Sequence, residues 1–296
     1  MGRSNKIVPQ SMCNWLLLLV FIMQFVVSLC ARSVWGIFSS KPLNQYEYIL
    51  IVEILAVAVP SVLLCIFNES GFVKTFGIKS VHFSKVWKCV CLGLCLQPVA
   101  VVANLLWQRL VGIAPSMSHV SAPWSIESFV MIFVFSCVVP ALSEEFLLRG
   151  MYLSSVKRKG YTFSIVVSTL MFVLLHSDPS SVASHTILGA SAAFAVLNTN
   201  SVFAGVFVHL SFNLGGMLAD YTVGNFYTPG GFIGTFEFYL VLGGACLVLS
   251  SLLFKSIYAK KMKKTASSEF IPNLFKAVFN LPVLIIILIY IFRIVG

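Results

Sequence analysis

Charge is what this 296-residue chain has least of: Asp, Glu, Lys and Arg make up 10% of it, against about 25% in soluble globular domains. So few charges cannot clothe a water-facing surface, and a soluble fold is excluded. Acids are scarcer than bases, ten against twenty, for a formal net charge of +10. The bases sit in short loops between apolar runs, which argues against nucleic acid as a partner. They fit instead a membrane protein with positive loops on one face and contact with anionic membrane lipid. Metal-finger spacing is missing too. The eight cysteines are scattered, and Cys89, Cys91 and Cys95 have no second pair to complete a site; they read as small apolar helix packers. There is no G-x-S-x-G, no H-E-x-x-H, no Ser-His-Asp arrangement and no internal repeat. The opening M-G-R-S-N-K lacks the Ser or Thr that myristoylation requires.

What is present is apolar sequence, 58% of the chain. It falls into about nine runs of near-spanning length: Trp15–Cys30, Tyr46–Phe67, Val86–Val111, Phe129–Tyr152, Thr162–His176, Val182–Leu197, Ser201–Ala219, Phe236–Tyr258 and Phe275–Ile294. The expected fold class is an all-α polytopic membrane protein with about nine transmembrane helices. The first run has the outline of a signal peptide and is read as an uncleaved helix. Three basic clusters follow the second, fourth and eighth runs: Lys74, Lys79 and Lys85; Lys157, Arg158 and Lys159; Lys255 with Lys260, Lys261, Lys263 and Lys264. Alternating spans put all three on one face, which the positive-inside rule makes cytoplasmic. The N-terminus is then expected inside and the C-terminus outside, in a multi-pass protein of the plasma membrane. Arg32 and Lys41 dissent. The Gly- and aromatic-rich stretch Tyr221–Gly234 is expected to be an irregular extracytoplasmic connection or an interfacial segment. The domain reading is an N-terminal helix and loop over 1–45, a core over 46–260 with its motifs in 125–220, and a basic loop with a final helix over 261–296.

Ionisable groups inside the apolar runs are the unusual feature, since a charge at bilayer depth is costly and usually faces an interior or a wet cavity. S-E-E-F-L-L-R-G places Glu144, Glu145 and Arg149 in the fourth run. Glu145 and Arg149, four apart, share a face and can pair, while Glu144 is turned about 100° away. Phe172 and His176, and His209 and Asn213, have the same spacing. At about 1.5 Å per residue from the basic end, Glu144, His176 and Asn213 all lie roughly 20 Å deep, and His209 one turn shallower. A carboxylate in a low-dielectric pocket serves as a general base. Imidazole and amide groups support an oxyanion. Together they suffice for hydrolysis of an amide by direct water attack.

E-E-x-x-x-R, F-x-x-x-H and H-x-x-x-N, in order on successive runs, resemble the CPBP family: type II CAAX prenyl proteases and bacteriocin-processing or self-immunity (Abi) proteins. The likeness covers about a third of the chain. It implies an eight-helix core and an intramembrane endopeptidase in which Glu144 activates water with His176, and His209 and Asn213 support the oxyanion. Glu145 belongs to the same catalytic motif; its pair with Arg149, together with Phe172, reads as support for the site. The resemblance also implies prenylated or leader peptides as substrates. Two mechanisms stay open. One is metal-free, with no cofactor, and Asn213 favours it because an amide is a poor zinc ligand. The other holds zinc on Glu144, His176 and His209.

Blander readings apply elsewhere. Glu53 is a lone acid expected to be capped or paired, and His185 is expected to be structural, with lining of the cavity as the alternative. His82 and His119 are expected in loops, and Asp178 with Pro179 at a helix end. Two rival functions compete with hydrolysis by these groups. A non-proteolytic immunity or scaffold protein would bind without them. A proton-coupled transporter would use them as a relay, although the lack of a repeat and of paired broken helices opposes it.

Overall fold

The computed structural model describes residues 7–38, 44–113, 125–226, 231–233, 235–258 and 267–295. These residues form helices and connections, with no strand among them. The helices, in order, are α1 (Gln10–Phe38), α2 (Gln45–Val52), α3 (Val59–Phe67), α4 (Phe72–Thr75), α5 (Phe83–Val111), α6 (Ile126–Ile132), α7 (Val139–Glu145), α8 (Leu153–Val156), α9 (Tyr161–His176), α10 (Val182–Thr199), α11 (Val202–Phe226), α12 (Phe236–Ile257), α13 (Ser267–Val278) and α14 (Leu281–Val295). Several join without a break. Wide, π-type turns over Glu53–Ala58, Phe133–Val138 and Phe146–Tyr152 link α2 to α3, α6 to α7 and α7 to α8.

Among the described residues, seven helical stretches are long and apolar enough to cross a bilayer, and the bent pair α13–α14 makes an eighth if taken as one span. The chain is an integral, multi-pass, all-α membrane protein. The expected count of about nine is lowered by α9. Its 16 residues reach about 24 Å, short of the roughly 30 Å hydrocarbon thickness. The helix stops because Ser177 turns left-handed, with φ 48°, and Pro179 follows two residues on. The final run is also corrected. It is not one straight helix over Phe275–Ile294 but two helices meeting at 68°. Pro282 has no N–H for the carbonyl of Val278, and the Asn280 side chain accepts from the Val283 N–H at 3.4 Å.

A third correction concerns Tyr221–Gly234. Helix α11 continues to Phe226, because Val223 still finds a buried seat and the Thr222 hydroxyl bonds back to the Leu218 carbonyl at 2.8 Å. Residues 231–233 are irregular; 227–230 and 234 lie outside the described residues. So do His119 and Lys260–Lys264. His82 is the N-cap of α5 rather than part of a plain loop, accepting from the Ser84 N–H.

The core runs along α5, which packs lengthwise on α11 and α12. Gly93 makes that possible: a Cβ there would stand 2.3 Å from the Val208 carbonyl oxygen and 2.1 Å from Ser211 Oγ. Small residues at crossings let membrane helices approach this closely. The basic segments gather at one end of the bundle. Lys159 Nζ donates to Gln10 Oε1 at 2.7 Å. Val202 N–H donates to the Gly77 carbonyl at 3.0 Å, and Ser201 Oγ donates to that of Lys79. At the foot of α12, beside Lys255, Tyr258 stacks on Phe194 of α10.

Candidate active site

The acidic motif lies where one wide turn gives way to the next. The turn Phe133–Val138 precedes Pro140, which has no N–H for the carbonyl four residues back, that of Ser136. Asn213 Nδ2 donates to that carbonyl instead, at 3.3 Å. The next wide turn, Phe146–Tyr152, carries Arg149. Wide turns inside α-helices recur at functional sites because they re-aim side chains that a regular helix would hold elsewhere.

Glu145 and Arg149 form a buried ion pair. Arg149 Nη1 donates to Glu145 Oε1 at 2.8 Å, and both side chains are 0% exposed. Arg149 Nη2 donates to the Gly189 carbonyl at 3.0 Å, and the guanidinium lies 4.3 Å from the centre of the Phe172 ring. His209 Nδ1 meets the same Glu145 oxygen at 3.0 Å. A carboxylate only accepts, so this nitrogen carries the proton. Room for the carboxylate comes from Gly205, where a Cβ would lie 2.6 Å from Glu145 Oε2.

Glu144 points elsewhere, as its 100° offset requires. Its Oε2 faces His176 Nε2 at 3.5 Å, and both side chains keep partial exposure, 14% and 23%. His176 Nδ1 donates to the Phe172 carbonyl at 2.8 Å, since a carbonyl cannot donate. In the neutral ring Nε2 is then a lone pair aimed at the carboxylate. Two acceptors 3.5 Å apart are stable together when a proton or a water serves both. Both groups line a cavity of about 510 Å³ walled by α1, the Glu53–Ala58 turn, α7, α9 and α14. That size suits a peptide segment or small molecule.

Of the sequence-derived residues, then, Glu144 and His176 share a cavity wall, and Glu145, Arg149 and His209 form a sealed cluster beside it. Asn213 sits on the Ser136 carbonyl. His209 and Asn213 are not among the walls of that cavity. Phe172 stands between the groups: its ring centre is 4.4 Å from that of His176 and 5.7 Å from that of His209. Among the described residues, no three His, Cys, Asp or Glu side chains are arranged to hold a metal ion. Glu144, His176 and His209 do not form such a cradle here, because His209 turns to Glu145.

Two groups read blandly in the sequence lie close by. The His185 ring packs tilted against that of His176, ring centres 3.9 Å apart. Glu53 lines the cavity and accepts a hydrogen bond from Ser143 Oγ, so it is paired as expected. Depth would have found both. Glu53 is fourteen residues from the end of α3, and His185 fourteen from the end of α10, so each lies about 21 Å from the basic end. Asp178 caps the short turn after α9, accepting from Ser180 N–H at 3.0 Å.

Comparison with known families bears on this same stretch. Residues 126–215 match the family model for type II CAAX prenyl endopeptidase Rce1-like proteins. Over this segment, about a third of the chain, the protein is similar to the CPBP family. The matched segment holds all three motifs, from α6 to the middle of α11, and supports an intramembrane-protease type of fold. No curated protein and no solved structure matched the chain.

Proposed function

We propose that this protein is an intramembrane endopeptidase that hydrolyses a peptide bond of a membrane-associated substrate, with Glu144 and His176 as the water-activating pair. The single observation that carries this is the 3.5 Å approach of Glu144 Oε2 to a lone-pair nitrogen of His176 on the wall of a cavity inside a CPBP segment. A water that donates one O–H to each acceptor keeps its own lone pair free for attack. Glu144 takes the proton as the tetrahedral intermediate forms and passes it to the leaving amine.

Glu145, Arg149 and Phe172 hold the geometry. Glu145 also fixes the orientation of the His209 ring through the 3.0 Å contact with its Nδ1. Asn213 is held to Ser136 by a long bond of 3.3 Å, weak enough to exchange for a substrate oxygen. The substrates are lipidated or leader peptides entering from the bilayer, and the basic end of the bundle faces the cytoplasm. Water activation needs no metal in this scheme.

The test is cleavage by purified protein in proteoliposomes, read by mass spectrometry on a panel of prenylated and leader peptides. Glu144→Gln and His176→Ala are each expected to lower turnover at least about a hundredfold, as loss of general-base catalysis does. Undiminished cleavage by both variants refutes the assignment. Loss of wild-type cleavage with a zinc chelator, restored by zinc, refutes the metal-free scheme alone.

A further inference from the structure

Glu53 is the third acidic or imidazole group on the wall of the cavity that holds Glu144 and His176, and the reaction above does not use it. It sits in a wide turn of an otherwise apolar span. Its side chain accepts from Ser143 Oγ, so a hydroxyl directly beside Glu144 in sequence fixes its direction. The rest of the polar wall is Gln24, Ser28 and Ser177. No Lys or Arg is among the described residues that line the cavity. The nearby cation, Arg149, is 1% exposed and committed to Glu145, the Gly189 carbonyl and the Phe172 face.

A chamber with two carboxylates and, among the described residues, no available base repels a peptide's terminal carboxylate and attracts a cation, strongly so at low dielectric. We propose that Glu53 is a specificity-determining residue that receives a cationic side chain of the substrate, so that the cavity takes an internal peptide segment carrying Lys or Arg near the scissile bond. This rests on the peptide-binding part of the proposed function. Binding pays for the buried carboxylate: an ammonium or guanidinium neutralises Glu53, while the apolar walls from α1 and α14, Phe25 and Phe292 among them, cover the stem of the side chain.

The experiment is peptide binding to full-length protein in nanodiscs, carried out in the Glu144→Gln background so that cleavage is not required. The probes are three fluorescent peptides identical except for Lys, Gln or Glu at one scanned position. At one position the Lys peptide is expected to bind about tenfold tighter than the Gln peptide and tighter still than the Glu peptide, a difference worth one decade in Kd. Adding Glu53→Gln collapses that preference to within about twofold, Glu53→Asp retains it, and Glu53→Lys inverts it. A Lys-over-Glu preference absent at every position, or unaltered by Glu53→Gln, overturns the proposal. The preference is first read without any Glu53 substitution, so misfolding of those variants does not shield the idea. Binding with the stated preference but no cleavage by the wild type sinks the protease reading and leaves this one standing.

Discussion

Arg149 is among the largest side chains sealed within the described residues, and its removal strands a carboxylate. Glu145 is 0% exposed and shares its Oε1 between Arg149 and His209. Breaking a buried pair by deleting one partner costs about 3–5 kcal/mol. Arg149→Met is therefore expected to lower thermal unfolding in detergent sharply, whereas Glu144→Gln, at the cavity wall, leaves it nearly unchanged while activity falls. Equal melting of the two variants would contradict the division between a sealed support and an open reacting pair. Gly205→Ala tests the same support by crowding. Its Cβ would meet Glu145 Oε2 at 2.6 Å and Val196 Cγ2 at 2.9 Å, an overpacking cost of about 1–3 kcal/mol, measured as a lower melting temperature.

Elements matter through the way α9 ends. The chain leaves His176 inside the protein and must satisfy the backbone of 177–181 there. Helix α5 supplies the donors: Trp107 Nε1 to the Pro179 carbonyl at 2.8 Å and Gln108 Nε2 to that of Ser180 at 3.0 Å. Trp107→Phe keeps an aromatic ring and deletes the donor, stranding a carbonyl for about 1–3 kcal/mol. Faster amide hydrogen exchange at 177–181 and slower turnover are expected together; unchanged exchange would show that the segment stands without α5. Pro140→Ala acts on the helix that carries Glu144. It supplies the N–H missing opposite Ser136, competes with Asn213 for that carbonyl, and is expected to slow turnover without lowering the melting temperature.

At the scale of the whole molecule, the charge asymmetry becomes a spatial one. The start of α1, the turn after α4, the link after α8 and the foot of α12 meet at one end through Lys159, Gly77, Ser201 and Tyr258. With the native cysteines replaced, single cysteines at Lys74, Lys159 and Lys255 are expected to react with an impermeant maleimide from the same side of sealed vesicles. Labelling of one from the opposite side would break the arrangement.

The sequence by itself determined the membrane class, the helical content and the depth of each polar group, because all three follow from composition and a rise of 1.5 Å per residue. Glu145 with Arg149 was legible as an i,i+4 pair for the same reason. Depth, however, says nothing about azimuth. Only packing decided that His176 turns to Glu144 and His209 to Glu145, splitting one expected cluster in two. Packing also brought Glu53 and His185 alongside, since neighbours on different helices are chosen by crossings such as Gly93 against Val208. The shortness of α9 and the break before Pro282 were written in Ser177–Pro179 and Asn280–Pro282, but an apolar run counted by length alone overrides such local signals. Tertiary structure decides these points because a helix has one axis but many faces, and only its partners fix which face looks inward.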